Sequence, residues 1–76
     1  MGIEWKKISD RILEGDCGDG VVAVVEPSVG GLDAGWFQAS IIDTTHTQPG
    51  WADSGWGTVE EARDAAERAF AAGAWK

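Results

Sequence analysis

The chain begins with apolar residues that alternate with charged ones, a spacing typical of a β-strand. Ile3 and Trp5 are separated by a single acidic residue, and we predict extended structure over residues 3–13 with a break near Ser9. The later apolar residues of this segment would also fit a helical turn, so the spacing leaves that alternative open. Residues 14–20 are dominated by Gly and Asp, a composition that predicts a turn.

Two runs in the middle of the chain predict further strands. Residues 21–25 are β-branched apart from one alanine, which predicts a strand buried on both faces or nearly so, ended by Pro27. Residues 36–43 alternate in polarity and predict the next strand, with Trp36 on its more exposed side. The side chains expected to face the core from this strand are Phe37, Ala39 and Ile41.

A short strand is predicted over residues 51–56, interrupted by Gly55. Trp51 and Trp56 are five positions apart, so they would lie on opposite faces of a regular strand. A bulge at Gly55 would change that arrangement.

The last quarter of the chain has helical spacing and a clear start signal. Thr58 followed by Glu61 forms a capping box, and we predict a helix to about Ala72, with Gly73 as the residue that ends it. Trp75 is then able to fold back onto the sheet or the last helical turn. The predicted apolar stripe consists of Val59, Ala62, Ala66, Ala69 and Phe70.

These elements predict one α+β domain over residues 1–76. We expect a small antiparallel sheet of three to four strands, connected as a meander and packed against one C-terminal α-helix. Seventy-six residues are near the lower limit for a stable core, but five Trp and two Phe supply a large apolar area. The small core also leaves homodimer formation open.

Charge is distributed unevenly along the chain. The 51 residues between Arg11 and Arg63 contain nine carboxylates and neither Lys nor Arg, and the formal net charge is −7. Such a segment repels nucleic acid and anionic membranes and attracts basic surfaces. Many small proteins are acidic only because negative charge keeps them soluble. Net charge alone therefore does not distinguish solubility from recognition of a basic partner. We expect a basic partner protein that itself binds or processes nucleic acid.

The tryptophans within the acidic stretch supply candidate contact residues. Most Trp side chains in a small domain belong to its core, but burying all five would be difficult. Trp and acidic residues around the loop-rich centre are therefore the predicted partner-binding set. This set is Glu26, Asp33, Trp36, Asp43, Trp51 and Asp53.

Catalytic and metal-binding patterns are weak, and we expect a protein that is not an enzyme and uses no cofactor. His46 is the single histidine, and a surface loop is its ordinary place. Cys17 lies beside Asp16, and a neighbouring carboxylate raises a thiol pKa. The acids of residues 14–20 do not fit a calcium loop. One cysteine and the lack of an apolar signal region predict a cytoplasmic location.

Part of the chain resembles the HicB-like antitoxin half-domain. The resemblance lies in the segment from Trp36 to Asp43, the loop that follows it, and then Gly57-Thr-Val-Glu-Glu-Ala. In that family a strand, a loop and a second short strand precede Gly-x-Thr-x-Glu-Glu-Ala at the start of a helix. The resemblance covers roughly residues 21–72 and implies toxin neutralisation. By type, the chain is also similar to small acidic phage inhibitors, including anti-CRISPR proteins, which implies occlusion of a nucleic-acid-binding surface.

From these features we expect a non-enzymatic inhibitor whose acidic face docks on a basic groove of a nucleic-acid-processing partner. An antitoxin-like domain that neutralises a small basic toxin is the alternative. Direct binding to nucleic acid or to a membrane is not expected.

Overall fold

The computed structural model describes residues 3–28, 35–45 and 49–75, which form five β-strands and one α-helix. The elements are β1 (Glu4–Ser9), β2 (Ile12–Gly18), β3 (Val21–Pro27), β4 (Phe37–Asp43), β5 (Pro49–Trp56) and α1 (Val59–Ala72). The strands form one antiparallel sheet in chain order, so each strand pairs with the next. The α+β class and the meander are confirmed, whereas the prediction of three to four strands falls short of the five observed.

The strand count differs because most of the predicted turn at residues 14–20 is part of β2. Residues from Leu13 to Asp16 pair with β1 on one side and β3 on the other. The turn itself is confined to Asp19 and Gly20, which have φ values of 55° and 79°. Two central residues with positive φ match the twist of the flanking strands, as an Asp-Gly hairpin loop requires. The helical alternative for residues 3–13 is wrong, and the expected break near Ser9 is confirmed.

Gly15 of β2 lies where the side chains of Ile3 and Trp5 together fill the space above the strand. Trp5 lies directly opposite Gly15 in the register of β1 and β2. A Cβ atom on Gly15 would overlap the side chain of Ile3 and press on the indole ring of Trp5. The glycine thus lets Ile3 and Trp5 lie flat against the sheet, and both belong to the core cluster on that side.

The core lies between one face of the sheet and α1. Alternate residues of β3 and β4 point toward the helix, as expected for β4: Ala39 and Ile41 are at most 1% exposed, as is Val25 of β3. Phe37, the third residue expected from β4, is half-buried against the same core. Val22 and Val24 are half-buried, so β3 is fully buried on its helix side and only partly buried on the other, short of the burial on both faces that its composition predicts. The buried helix residues are Ala62, Ala65, Ala66 and Ala69, of which Ala65 was not in the predicted stripe.

Both ends of α1 are capped where the sequence predicts. The Thr58 hydroxyl accepts a hydrogen bond from the Glu61 amide at 3.1 Å, and it also donates to the Glu61 carboxylate at 3.2 Å. Gly73 ends the helix in the left-handed region. Trp75 folds back onto Phe70, with ring centroids 5.7 Å apart. These contacts satisfy helix-terminal groups and fix the direction in which the chain enters and leaves α1.

We predict that Gly15→Ala lowers the free energy of unfolding by about 1–3 kcal/mol, because the added methyl overpacks a filled site. Chemical denaturation measures this change. Gly57→Ala is the matched control: its Cβ would meet mainly the flexible end of Glu61, so the free energy should change by less than about 0.5 kcal/mol. Equal effects of the two substitutions would contradict the close packing of Trp5 on Gly15.

Candidate protein-binding face

The sheet has two faces, and in the described part of the chain α1 covers only one of them. Helix contacts fall on β3, β4 and β5, and the buried positions of β3 and β4 all have the same parity. The strand registers assign the remaining positions to the opposite side, here called the open face. Its members are Glu4, Lys6, Ile12, Glu14, Asp16, Val22, Val24, Glu26, Gln38, Ser40, Ile42, Ala52 and Ser54.

The centre of the open face is aliphatic. Val22 lies opposite Ile42, and Val24 lies opposite Ser40. Val22, Val24 and Ile42 are half-buried although no described element packs over them, because neighbouring side chains on the sheet cover them in part. A half-exposed aliphatic strip of this kind can be desolvated by a partner surface at little cost.

Acidic side chains surround this centre on the β1 and β2 side. Glu14 pairs across the strands with Val24, and Asp16 pairs with Val22. Glu4 lies directly opposite Asp16, a like-charge pair that is unfavourable within the sheet and strengthens the negative field outside it. A shallow groove of about 480 Å³ lies here, and its lining includes Glu4, Lys6, Glu14, Asp16 and Val22.

The far end of the face adds one more carboxylate. Glu26 lies opposite Gln38, whose side-chain amide donates a hydrogen bond to it at 3.4 Å. Of the described residues assigned to the open face, four are acidic and Lys6 is the only base. The face therefore combines an apolar centre with negative charge, as a surface for a basic partner would require.

The predicted partner-binding residues do not form one cluster. Trp36 is 46% exposed, as expected, and precedes β4. Asp43 ends the same strand, so the two are separated by about 23 Å at 3.3 Å per residue. The Asp43 carboxylate accepts hydrogen bonds from the amide and hydroxyl of Thr45, which places it in a local turn. Asp33 lies outside the described residues.

Trp51 and Trp56 lie on the helix side of the sheet. The register shifts between Phe37 and Gln38, and Gly55 at that point has a φ of 93°. The strand therefore has the bulge that the sequence left open, and both indoles lie on the same face rather than on the opposite faces of a regular strand. Both are half-buried against the core cluster that contains Val25 and Ala66. Trp51 and Trp56 therefore contribute to the packing of the core.

The strand registers assign Asp53 and Glu26 to opposite faces of the sheet. Asp53 is exposed on β5, at a position opposite Ala39 that faces the helix side, whereas Glu26 faces the open side. The predicted set therefore contributes only Glu26 to the open face. The acids of β1 and β2 were missed as binding candidates because residues 14–20 were interpreted as a turn. Alternation of Leu13, Gly15 and Cys17 with acids was the signal that could have identified them.

Cys17 is half-buried against the core rather than presented to solvent. Burial raises the pKa of its thiol, and the nearby Asp16 carboxylate raises this pKa further. Both effects favour the neutral thiol over the nucleophilic thiolate. Within residues 3–28, 35–45 and 49–75, no three His, Cys, Asp or Glu side chains gather as a metal site. His46 lies outside these ranges.

No protein family, curated protein or solved structure matches this chain. Among the described residues, no helix is both long and apolar enough to cross a membrane.

We predict opposite behaviour for two tryptophans. Trp51→Ala should lower the free energy of unfolding by about 3–5 kcal/mol, because it removes an indole from the core. Trp36→Ala should lower it by no more than about 1 kcal/mol, because 46% of this residue is exposed to solvent. Urea denaturation of both variants measures the difference. A large loss of stability in Trp36→Ala would show that this residue packs more tightly than its exposure indicates.

We also predict that Cys17 is alkylated several-fold more slowly than a free thiol at pH 8, because its raised pKa reduces the thiolate fraction. Iodoacetamide labelling followed by mass spectrometry gives the rate, with the urea-unfolded chain as the reference. Asp16→Asn removes the smaller of the two causes and should increase the rate modestly. A folded-state rate equal to the unfolded one would contradict the burial of Cys17.

Proposed function

We propose that this chain is a non-enzymatic binding protein that inhibits a partner by covering its basic, nucleic-acid-binding surface. The observation that carries the proposal is the open face: four carboxylates and one lysine around the aliphatic strip of Val22, Val24 and Ile42. A partner that binds phosphate groups presents Lys and Arg at spacings that carboxylates can meet. Occupation of that surface would exclude nucleic acid.

Charge and burial have different roles in this proposal. The negative field steers the partner toward the open face and raises the association rate. The aliphatic strip then supplies affinity, because its desolvation is favourable once the partner excludes water. Trp36 is exposed beside the Glu26 end of the sheet, where Pro27 pairs with Phe37, so it provides an aromatic anchor at the margin of the same face.

The proposed setting is the cytoplasm of a bacterial host, with the chain acting as an inhibitor of a phage or mobile element in the manner of anti-CRISPR proteins. Machinery that processes nucleic acid is located there, and the unpaired Cys17 is compatible with a reducing compartment. No cofactor is needed, because occlusion requires only complementary surfaces.

Paired charge reversals test the proposal once a partner has been captured from the native host and identified. Glu14→Lys places a positive charge on the open face, and Asp64→Lys makes the same change on the exposed side of α1. We predict that Glu14→Lys slows association with the partner at least about tenfold at low salt, while Asp64→Lys has less than about a twofold effect. Stopped-flow or surface-based kinetics measure both rates.

Two further readouts complete this test. The wild-type association rate should fall steeply as ionic strength increases, because salt screens the steering field. The partner should also lose binding to nucleic acid in proportion to the amount of inhibitor added. Equal rates for the two variants, or a partner that binds nucleic acid and the chain together, would contradict the proposal.

An antitoxin-like domain is the second candidate. The order β4, β5, α1 with a capped helix start agrees with the strand, loop, strand and helix of the HicB-like half-domain. A small basic toxin would use the same acidic face. Co-expression with the neighbouring open reading frame separates the candidates, because an antitoxin restores growth that an adjacent toxin prevents.

A further inference from the structure

The two edges of the sheet are built differently. At β5, Gly50 lies so close to the Trp75 carbonyl that a Cβ would overlap it, and the bulge at Gly55 makes the strand irregular. Bulges of this kind protect an edge against pairing with another strand. At β1, pairing with β2 is regular from Glu4 to Lys7, and no described strand lies on the outer side. Within residues 3–28, 35–45 and 49–75, no strand pairs with the backbone groups on that side, so they can pair with another strand.

β1 is also the part of the sheet where a second acidic chain meets the least repulsion. Lys6, Lys7 and Arg11 are the only bases before Arg63, and all three lie on β1 or the turn that follows it. The bases outnumber the two acids of residues 4–11. Two copies that each carry a net charge of −7 can therefore approach through this edge more easily than through the rest of the sheet.

Symmetry and charge select one register for such a contact. A two-fold axis that pairs β1 antiparallel with itself lies perpendicular to the sheet, so paired residues share a face. When Trp5 lies on the axis, Glu4 of each copy faces Lys6 of the other. The neighbouring symmetric registers place Glu4 opposite Glu4, or Lys6 opposite Lys6. Opposite charges stabilise a cross-strand pair and like charges destabilise it.

We propose that two copies of the chain pair through β1 in the register centred on Trp5, forming one continuous sheet of ten strands. Both helices then lie on the same side, because the axis keeps the faces of the two sheets aligned. The two Trp5 side chains meet on the helix side, where each indole donates to Glu67 of its own α1 at 3.2 Å. This dimer goes beyond the proposed inhibitory function and does not depend on it.

The contact is small, so the dimer is weak and depends on concentration. One strand pair buries far less than the 1,200–2,000 Å² typical of stable interfaces. We expect dissociation in about the micromolar to millimolar range, visible by sedimentation equilibrium over a concentration series. Joined open faces would also double the acidic surface available to a partner with an extended basic groove.

Two single variants test the register. In Glu4→Lys, both positions 4 and 6 are basic, and in Lys6→Glu both are acidic, so each variant repels itself in the Trp5-centred register. We predict that the dimer dissociation constant of each variant rises at least about tenfold. An equimolar mixture should form a heterodimer within about threefold of wild-type affinity, because every cross-strand pair is then complementary.

Arg11→Glu is the matched control, since it makes the same charge change as Lys6→Glu but lies in the turn beyond the paired residues. It should dimerise like the wild type. Circular dichroism and thermal unfolding establish that each variant folds, and the mixture supplies an internal check, because an unfolded variant cannot restore association. A monomeric wild type at millimolar concentration, or single variants that fail to complement each other, would overturn the proposal.

Discussion

Four alanines on α1 set the distance at which the helix lies on the sheet. Ala62 and Ala66 are fully buried against Val25 and Ala39, and Ala65 and Ala69 are nearly so. Small side chains on both surfaces bring the two backbones close together, and this close packing closes the centre of the core. A large side chain at any of these positions would push the helix away and expose β3 and β4.

A single helix cannot cover a sheet of five strands, and the tryptophans compensate for this. A helix is about 10–12 Å wide, whereas five strands at about 4.8 Å spacing span about 19 Å between the outer axes. Trp5 extends the core over β1 and β2, and Trp51 and Trp56 extend it over β5. Trp75 closes the end near Phe70. Four of the five tryptophans thus pack against the core, and Trp36 is the most exposed of the five, at 46%.

The same geometry leaves the opposite side of the sheet uncovered in the described part of the chain, and four of the thirteen acids lie there. Along β2, Glu14 and Asp16 alternate with Gly15 and Cys17. The uncharged Gly15 and Cys17 face the helix side of the sheet, and the two carboxylates face outward. The charge pattern of the chain is therefore tied to its fold. On the open face, β2 and β3 carry only acidic charge, whereas the positions of β4 and β5 assigned to this face are uncharged.

Sequence signals predicted those elements whose structure is determined by side chains only a few residues apart. The capping box at Thr58, the alternation along β4 and the bulge at Gly55 each have a physical cause within a few residues. Gly15 does not: its place in a strand depends on Trp5, which only the pairing of β1 with β2 brings above it. Composition alone therefore indicated a turn there. The binding candidates failed to gather for the same reason, since strand register decides which acids share a face.

We propose that the chain binds basic partners through the open face and not through the helix side. Methyl NMR during titration with an oligolysine peptide tests it most directly, because β3 and β4 carry methyl groups on both faces. The account predicts shifts at Val22, Val24 and Ile42, and none at Val25 and Ile41, which lie on the same strands and face α1. Shifts confined to the helix side, or no shifts at low salt, would contradict it.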